Sequence, residues 1–313
     1  MRVLVVGAGV VGLSCAMRLV EAGHQVDVIA RELPLETTSS AAAAIWYPYL
    51  AEPKDRVTAW GKTAYEEFRR LAVSEPQSGV RMRWGTELLR TPAPEPWWAS
   101  ALPRLERTTA VPAGFSGGWR FEVPVVDMRV YLPWLAARLE RAGGRITRMA
   151  LPNLPNRAPL VVNCCGIAAR SLVDDGSLRP VRGQVVYLSQ VGLEEWLLEE
   201  SDELMPVYVV PRTEDIVVGG TAQEGDWNKR PDPATAERLV DRARALVPEL
   251  RDARVLGHRV GLRPLRPEVR LETEQTAGGG AVVHCYGHGG AGVTLSWGCA
   301  EEVLGHVRAL VGA

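Results

Sequence analysis

The residues Val3 to Val6 are apolar without a break, as in a strand buried on both faces of a parallel sheet. Val10, Leu13, Ala16, Met17 and Val20 then recur at helical spacing up to Gly23, a residue suited to ending a helix, and "QVDVIA" resumes as strand. Together they predict a βαβ unit. Trp60, Ala64, Phe68 and Leu71 predict a second helix from Asp55 to about Leu71, and the Pro- and Trp-rich "TPAPEPWWASALP" that follows reads as irregular loop. "GGWRFEVPVVD" is expected as strand, "RVYLPWLAARLERAGG" as a helix whose first turn tolerates Pro133, and "APLVVNCCG" as a buried strand leading into a helix from Ile167.

Between about Val181 and Arg263 the pattern changes. "VRGQVVYLS" and the pair "VYVVP" and "DIVVGG", joined by "RTE", predict an antiparallel sheet with a hairpin, beside a helix from Pro233 to Val247. The last segment, "GAVVHCYGHGGAGVTLSWGCAEEVLGHVRALV", repeats the form of the first. It gives strand, glycine turn and a long helix with Val293, Trp297, Ala300, Leu304 and Val307 on one stripe. At 313 residues the chain is long for one core and comfortable for two, so two lobes are expected.

Composition narrows the function classes. With 46% hydrophobic residues, 23% charged residues and a formal net charge of −1, the chain has no field that would gather nucleic acid or an anionic membrane. No apolar run approaches the roughly 18 residues that span a bilayer. No secretory h-region stands ahead of "RVLVV", and a cytoplasmic protein is expected. Five cysteines, with Cys164 next to Cys165 and no C-x-x-C pair, predict reduced, buried thiols rather than disulfides or zinc.

Chemistry enters at the turn between the first strand and the first helix. Gly7, Gly9 and Gly12 form G-x-G-x-x-G there: one glycine for the tight turn, one for close approach of a pyrophosphate, one for helix–strand packing. That context predicts dinucleotide binding. An acid after the second strand should meet an adenosine ribose, and Glu32 lies twenty residues past Gly12 with Arg31 beside it. An arginine there also suits a 2′-phosphate, which keeps an NADP-dependent reductase or a dinucleotide-binding sensor as alternatives. The hydroxyl run Thr37 to Ser40 and the four alanines after it cannot fill a core by volume. They suit either a helix N-cap at Thr38 or Ser39, or a backbone lying close to a ligand. In "HCYGHGG", His284 and His288 are four apart, but the glycines at 287, 289 and 290 argue against a helix and no third ligand accompanies them, so no metal is expected.

"VVGAGVVGLS", "ARELP", "TTSSAAAAIWYPYL", "VVNCCG", "YVVP…VVGGT", "GLRPLRPEVRLE" and "HCYGHGGAGVTLSWGCA" follow one another from Met1 to about Val307. Together they resemble the D-amino acid oxidase family, FAD-dependent flavoenzymes that include D-aspartate oxidases. The resemblance implies an α/β fold with a Rossmann-like FAD-binding domain over residues 1–50, 126–181 and 264–313. A substrate domain on a mixed or antiparallel sheet would occupy 51–125 and 182–263. It implies FAD bound without a covalent link by Gly7, Ala8, Gly9, Val10, Val11 and Gly12, by Arg31 and Glu32, by Thr37, Thr38 and Ser39, and by Gly166. Gly287, His288, Gly289, Gly290, Gly292, Val293 and Thr294 complete that set.

The resemblance also implies the reaction. A D-amino acid gives hydride from its α-carbon to flavin N5, the imino acid hydrolyses to keto acid and ammonia, and dioxygen reoxidises the flavin with release of hydrogen peroxide. Arg263 and Tyr208 would hold the substrate carboxylate and the Gly290 carbonyl its amine, with Tyr49 as a further active-site aromatic and no general base. Arg259 and Arg266 flank Arg263 as rival cations. Neutral or apolar D-amino acids are the expected substrates. The alternatives are D-aspartate, whose second carboxylate would need Arg259 or Arg182, and a glycine- or sarcosine-type amine. Tyr47 and Leu204 stand where several animal members carry a glutamine and a lid tyrosine, so "ESDELMP" is expected as a reduced lid. Nothing in the sequence excludes a homodimer.

Overall fold

The computed structural model describes residues 1–155 and 158–312. Asn156, Arg157 and Ala313, which fall within the segments 126–181 and 264–313 assigned above, lie outside the described residues. The chain opens with β1 (Arg2–Val6), α1 (Val10–Glu21) and β2 (Gln25–Ala30). Gly23, at φ +84°, closes α1. Its N–H reaches Val20 O at 2.9 Å and that of His24 reaches Leu19 O at 3.0 Å, which satisfies two carbonyls the helix end would otherwise leave unpaired. Next come α2 (Lys54–Ser74), β3 (Val80–Leu89), β4 (Glu106–Thr108), β5 (Gly117–Val126), α3 (Met128–Arg141), β6 (Arg145–Arg148) and β7 (Leu160–Asn163). They are followed by α4 (Ala169–Leu172), β8 (Arg179–Ser189), β9 (Trp196–Glu199), β10 (Val207–Pro211), β11 (Asp215–Gly219) and β12 (Gln223–Glu224). The last elements are α5 (Pro233–Leu246), β13 (Val255–Gln275), β14 (Ala281–His288) and α6 (Gly292–Val311).

Among the described residues a single mixed sheet of 14 strands threads these elements. At one end β6, β2, β1, β7 and β14 run parallel. Toward the other, β13, β8, β11, β10 and β9 alternate in direction, followed by β3, β5 and β4. β13 joins the halves: its first part pairs with β8 and its last part with β14. The expected domain boundary at 263/264 therefore falls inside one continuous strand.

The three largest cores among the described residues cover most of the sheet. α1, α2, α3 and α6 bury Leu13, Trp60, Phe68, Leu135 and Trp297 against the parallel strands. The α2 side chains Val57, Trp60, Ala64, Phe68 and Leu71 thus pack onto the parallel half, although residues 51–125 are expected in the other. A second core holds Trp46, Tyr65, Trp98, Trp119, Phe121 and Trp196, with Phe121 and Trp196 ring centroids 4.7 Å apart, and accounts for much of the tryptophan. The third seats α5 on β8, β10 and β11 through Leu239, Val240, Val186 and Ile216. Among the described residues no helix is long and apolar enough to cross a membrane.

Two expected helices differ in detail. Beyond Ile167 there is only a 3₁₀ turn and the four residues of α4, because Asp174 turns the chain at φ +51°. Pro133 sits beyond the first turn of α3, since Asp127 caps the helix by accepting from Arg129 N at 3.0 Å and sets its start at Met128. Pro133 is solvent-exposed. Six segments not anticipated as strands are β3, β4, β6, β9, β12 and β13; β4 and β6 form the edges of the sheet, and β13 bridges its two halves.

Candidate active site

The carboxyl ends of β1 and β7 lie side by side where the parallel strands change direction of order, the place such sheets leave a crevice. A cavity of about 380 Å³ opens there and is lined by Gly7, Ala8, Gly9, Val10 and Val11. Gly7, at φ +113°, turns the chain beneath Cys164, whose carbonyl oxygen stands 2.4 Å from where a Cβ would sit. Gly12 does not line the cavity; its missing Cβ would fall 2.0 Å from Gly7 O, so the glycine lets α1 press on the β1 turn. The first turn of α1 carries no acidic residue to oppose an anion at the positive end of its dipole. Val10 N donates to Ser39 Oγ at 3.0 Å. Ser39 thus caps α1 from a separate 3₁₀ turn, Thr38–Ala41, and lines the cavity with Thr37 and Thr38. Ser39 serves a helix distant in sequence rather than one that it begins.

Arg31 and Glu32 line the cavity past the end of β2 and pair with each other at 3.1 Å. Lys229 Nζ reaches the same Glu32 carboxylate at 3.3 Å. The alanines at 41 to 44, Gly166 and Gly261 supply further wall. His288, Gly289, Gly290, Gly292 and Val293 line it from the β14–α6 turn. At Gly289, φ +52°, a Cβ would lie 1.8 Å from Leu50 O, and at Gly290 it would lie 2.4 Å from Tyr49 Cδ1. Gly290 N donates to Tyr49 O at 3.0 Å, so only glycine lets this turn dock on the 47–50 segment. Two expected members stand elsewhere. Gly287 faces Arg266, and Thr294 is buried behind the wall, accepting from Tyr47 N at 3.0 Å and donating to Tyr47 O at 2.9 Å.

Arg263, Tyr208 and Tyr49 line the same cavity from β13, β10 and the 47–50 segment. Two glycines on the sheet face explain how long side chains from separate strands converge. A Cβ on Gly183 of β8 would sit 2.5 Å from the Arg263 guanidinium, and one on Gly219 of β11 would sit 2.3 Å from Tyr208 Cζ. Arg263 Nη1 donates to Thr221 O at 2.7 Å, and its guanidinium carbon stands 5.7 Å from the Tyr49 ring centre. Among the described residues it forms no ion pair, so a planar cation is held in the cavity with a free edge. Burial pushes the Tyr208 phenol up, with the Arg263 guanidinium pulling against it, and Tyr49 shows the same opposition. Of the rival arginines, Arg266 pairs with Asp175 at 3.0 Å, Arg259 is exposed, and Arg182 is buried in bonds to Asn228 O, Gln223, Gln184 and Arg230 O. None of the three lines the cavity.

The lid position Leu204 is 71% exposed and outside the wall, in a tight turn where Asp202 Oδ1 accepts from Leu204 N and Met205 N. Near it is a pair of acids, Glu87 and Glu200, that sequence reasoning did not single out. Tyr47 Oη stands 2.9 Å from Glu200 Oε2 and 3.1 Å from Glu87 Oε1. Burial, then the charge of Glu200, pushes the Glu87 carboxyl up to about 7. A raised carboxyl favours the folded state most below the ordinary carboxylate range and loses that contribution as pH climbs through 7. Glu87→Gln is therefore expected to raise Tm at pH 8 and to change it less at pH 5, a gain of about 1–2 kcal/mol after discounting for partial exposure. Thermal melts at the two pH values check this; an equal shift at both would refute it.

The thiols Cys15, Cys164 and Cys285 cluster with sulfurs within 4.8 Å of one another, and Cys285, His288 and Cys299 do likewise. All four cysteines are buried and free, filling space between α1, β7, β14 and α6. His288 thus has neighbours that sequence spacing did not reveal, because they come from distant elements. His284 does not join it: four residues along a strand span about 13 Å, and His284 bonds Asn163 and Glu274 instead.

Residues 2–304 match the family model described as DAO, FAD dependent oxidoreductase. A D-amino-acid oxidase of Rubrobacter xylanophilus is 52% identical over 318 residues, covering 100% of this chain and 96% of that protein. One of Streptomyces coelicolor is 43% identical, covering 96% and 95%. The solved structure of a glycine oxidase from Geobacillus kaustophilus superposes with a TM-score of 0.81 at 18% identity, covering 98% and 95%. The site residues fit such a cofactor, with an uncrowded helix N-terminus and glycine floors that a Cβ would fill. A crevice of that make, within a chain matched from end to end, leaves one assignment: the protein belongs to the DAO family of FAD-dependent oxidoreductases, and FAD is its cofactor.

Proposed function

We propose that the protein is a D-amino acid oxidase, converting a D-amino acid, dioxygen and water to the keto acid, ammonia and hydrogen peroxide. The carrying observation is the Arg263 guanidinium, laid over Gly183 with an uncommitted edge in the FAD cavity. Its fork suits a bidentate hold on an α-carboxylate. Tyr208 and Tyr49, whose phenols burial keeps protonated at neutral pH, donate to the same carboxylate. The Gly290 carbonyl accepts from the amine, so that carboxylate and amine together fix which face of the α-carbon is presented. Bound FAD, held without a covalent link along the Gly7–Val11 turn, Ser39 and the β14–α6 turn, supplies the two-electron acceptor that dioxygen regenerates. The FAD-binding half then comprises the parallel strands and the helices packed on them, and the substrate half the antiparallel strands. D-aspartate is the weaker reading, since neither Arg182 nor Arg259 lines the cavity to meet a second carboxylate.

Anaerobic mixing of the flavin-loaded protein with D- and L-alanine is the test. Bleaching of the visible flavin band by the D-enantiomer alone is expected. Bleaching by L-alanine alone, or by no amino acid of either hand, would sink the proposal.

A further inference from the structure

Glu200 and Glu87 hold a charge the reaction above does not use. Glu200 follows β9 directly and lines the cavity beside Leu198, Tyr49 and Tyr208, whereas Glu87, on neighbouring β3, stands behind it. Tyr47 ties them together, and its own place is fixed by the two bonds to Thr294 and by edge contact with Trp98 at 5.4 Å. A phenol has one proton. It can donate to one carboxylate only, and the second must bring a proton of its own or face a lone pair. The rear acid suits that part: the Oε2 atom of Glu87 is buried and has no partner. Glu200 is left as the ionised member, supported by one neutral hydrogen bond and facing the cavity.

Among the described residues no cation pairs with it: neither Glu87 nor Glu200 enters an ion pair, while the adjacent Glu199 takes Arg90 at 3.2 Å and Arg242 at 3.9 Å. The cationic side chains of the cavity wall are Arg31, Lys229 and Arg263, and the first two are engaged with Glu32. A desolvated carboxylate without a counter-ion is costly, and whatever brings one gains that cost back. Resting on the oxidase reading, we propose that Glu200 is the specificity residue of the substrate side-chain subsite. It selects D-amino acids with a cationic side chain, the lysine, ornithine and arginine class, and not the neutral or apolar ones expected from the sequence.

The holoenzyme tests this with D-lysine against D-norleucine, which has the same aliphatic stem without the ammonium, and with D-alanine as a third substrate. In the native enzyme kcat/KM for D-lysine is expected to exceed that for D-norleucine at least tenfold. Glu200→Gln is expected to cut this ratio at least tenfold, a readout from which any loss common to both substrates cancels, and Glu200→Lys to invert it. D-norleucine preferred by the native enzyme, or a ratio unmoved by Glu200→Gln in flavin-loaded protein, overturns the proposal and leaves the oxidase reading standing. Turnover of none of the three overturns both.

Discussion

Arg263→Leu is expected to leave FAD bound and to lower kcat/KM for D-amino acids by about a thousandfold, chiefly through KM. The leucine removes the one cation placed to receive an α-carboxylate, and a charged partner lost from a desolvated site costs about 3–5 kcal/mol, with each 1.4 kcal/mol worth tenfold. FAD should stay because the side chain bonds Thr221 O and lies over Gly183, not over the Gly7–Val11 turn. Arg263→Lys separates charge from shape. An ammonium keeps the charge but has no planar fork to lie flat on the glycine, so a partial recovery, on the order of tenfold over leucine, is expected. Peroxide production under air, with flavin content measured on the same samples, checks both variants. Unchanged kinetics in the leucine variant would mean that the carboxylate is held elsewhere.

What could be read from the sequence was what is local. The apolar run at Val3–Val6, the helical stripe ending at Gly23 and the glycines at 7, 9 and 12 each report a backbone requirement met within a few residues of themselves. The structure places strand, helix and turn accordingly. Features built by pairing across the chain were not legible. Ser39 caps a helix twenty-nine positions away, β13 reaches from one half of the sheet into the other, and Thr294 orders Tyr47 from behind the wall. The acid pair is the sharpest case. Glu87 and Glu200 stand on β3 and just past β9, strands invisible until paired, and nothing in "GTELLR" or "LLEESD" distinguishes them from surface acids. Gly183 and Gly219 are similar: each is an ordinary strand glycine until the neighbouring strand is known to send Arg263 or Tyr208 across it.

Gly12→Ala should abolish most FAD binding, and the reason is a single contact. Gly12 lies within α1 at an ordinary helical conformation, where alanine would by itself favour the helix by about 1 kcal/mol. Its Cβ, however, would lie 2.0 Å from Gly7 O and 3.3 Å from Cys164 Cβ, and neither the β1 turn nor the thiol cluster behind it can yield so far. α1 must back away from β1, which misaims the N–H groups at its start and strains a core where overpacking costs about 1–3 kcal/mol. Purified Gly12→Ala is thus expected to carry less than roughly a tenth of the native flavin and to melt roughly 3–10 °C lower when both proteins are compared without cofactor. Gly23→Ala is the control. There the cost is backbone strain at φ +84° and not a clash, since its Cβ would meet nothing within 4 Å, so stability should fall while flavin content does not. Equal flavin in the Gly12 and Gly23 variants would show that the close approach of α1 to β1 is not what shapes the phosphate end of the crevice.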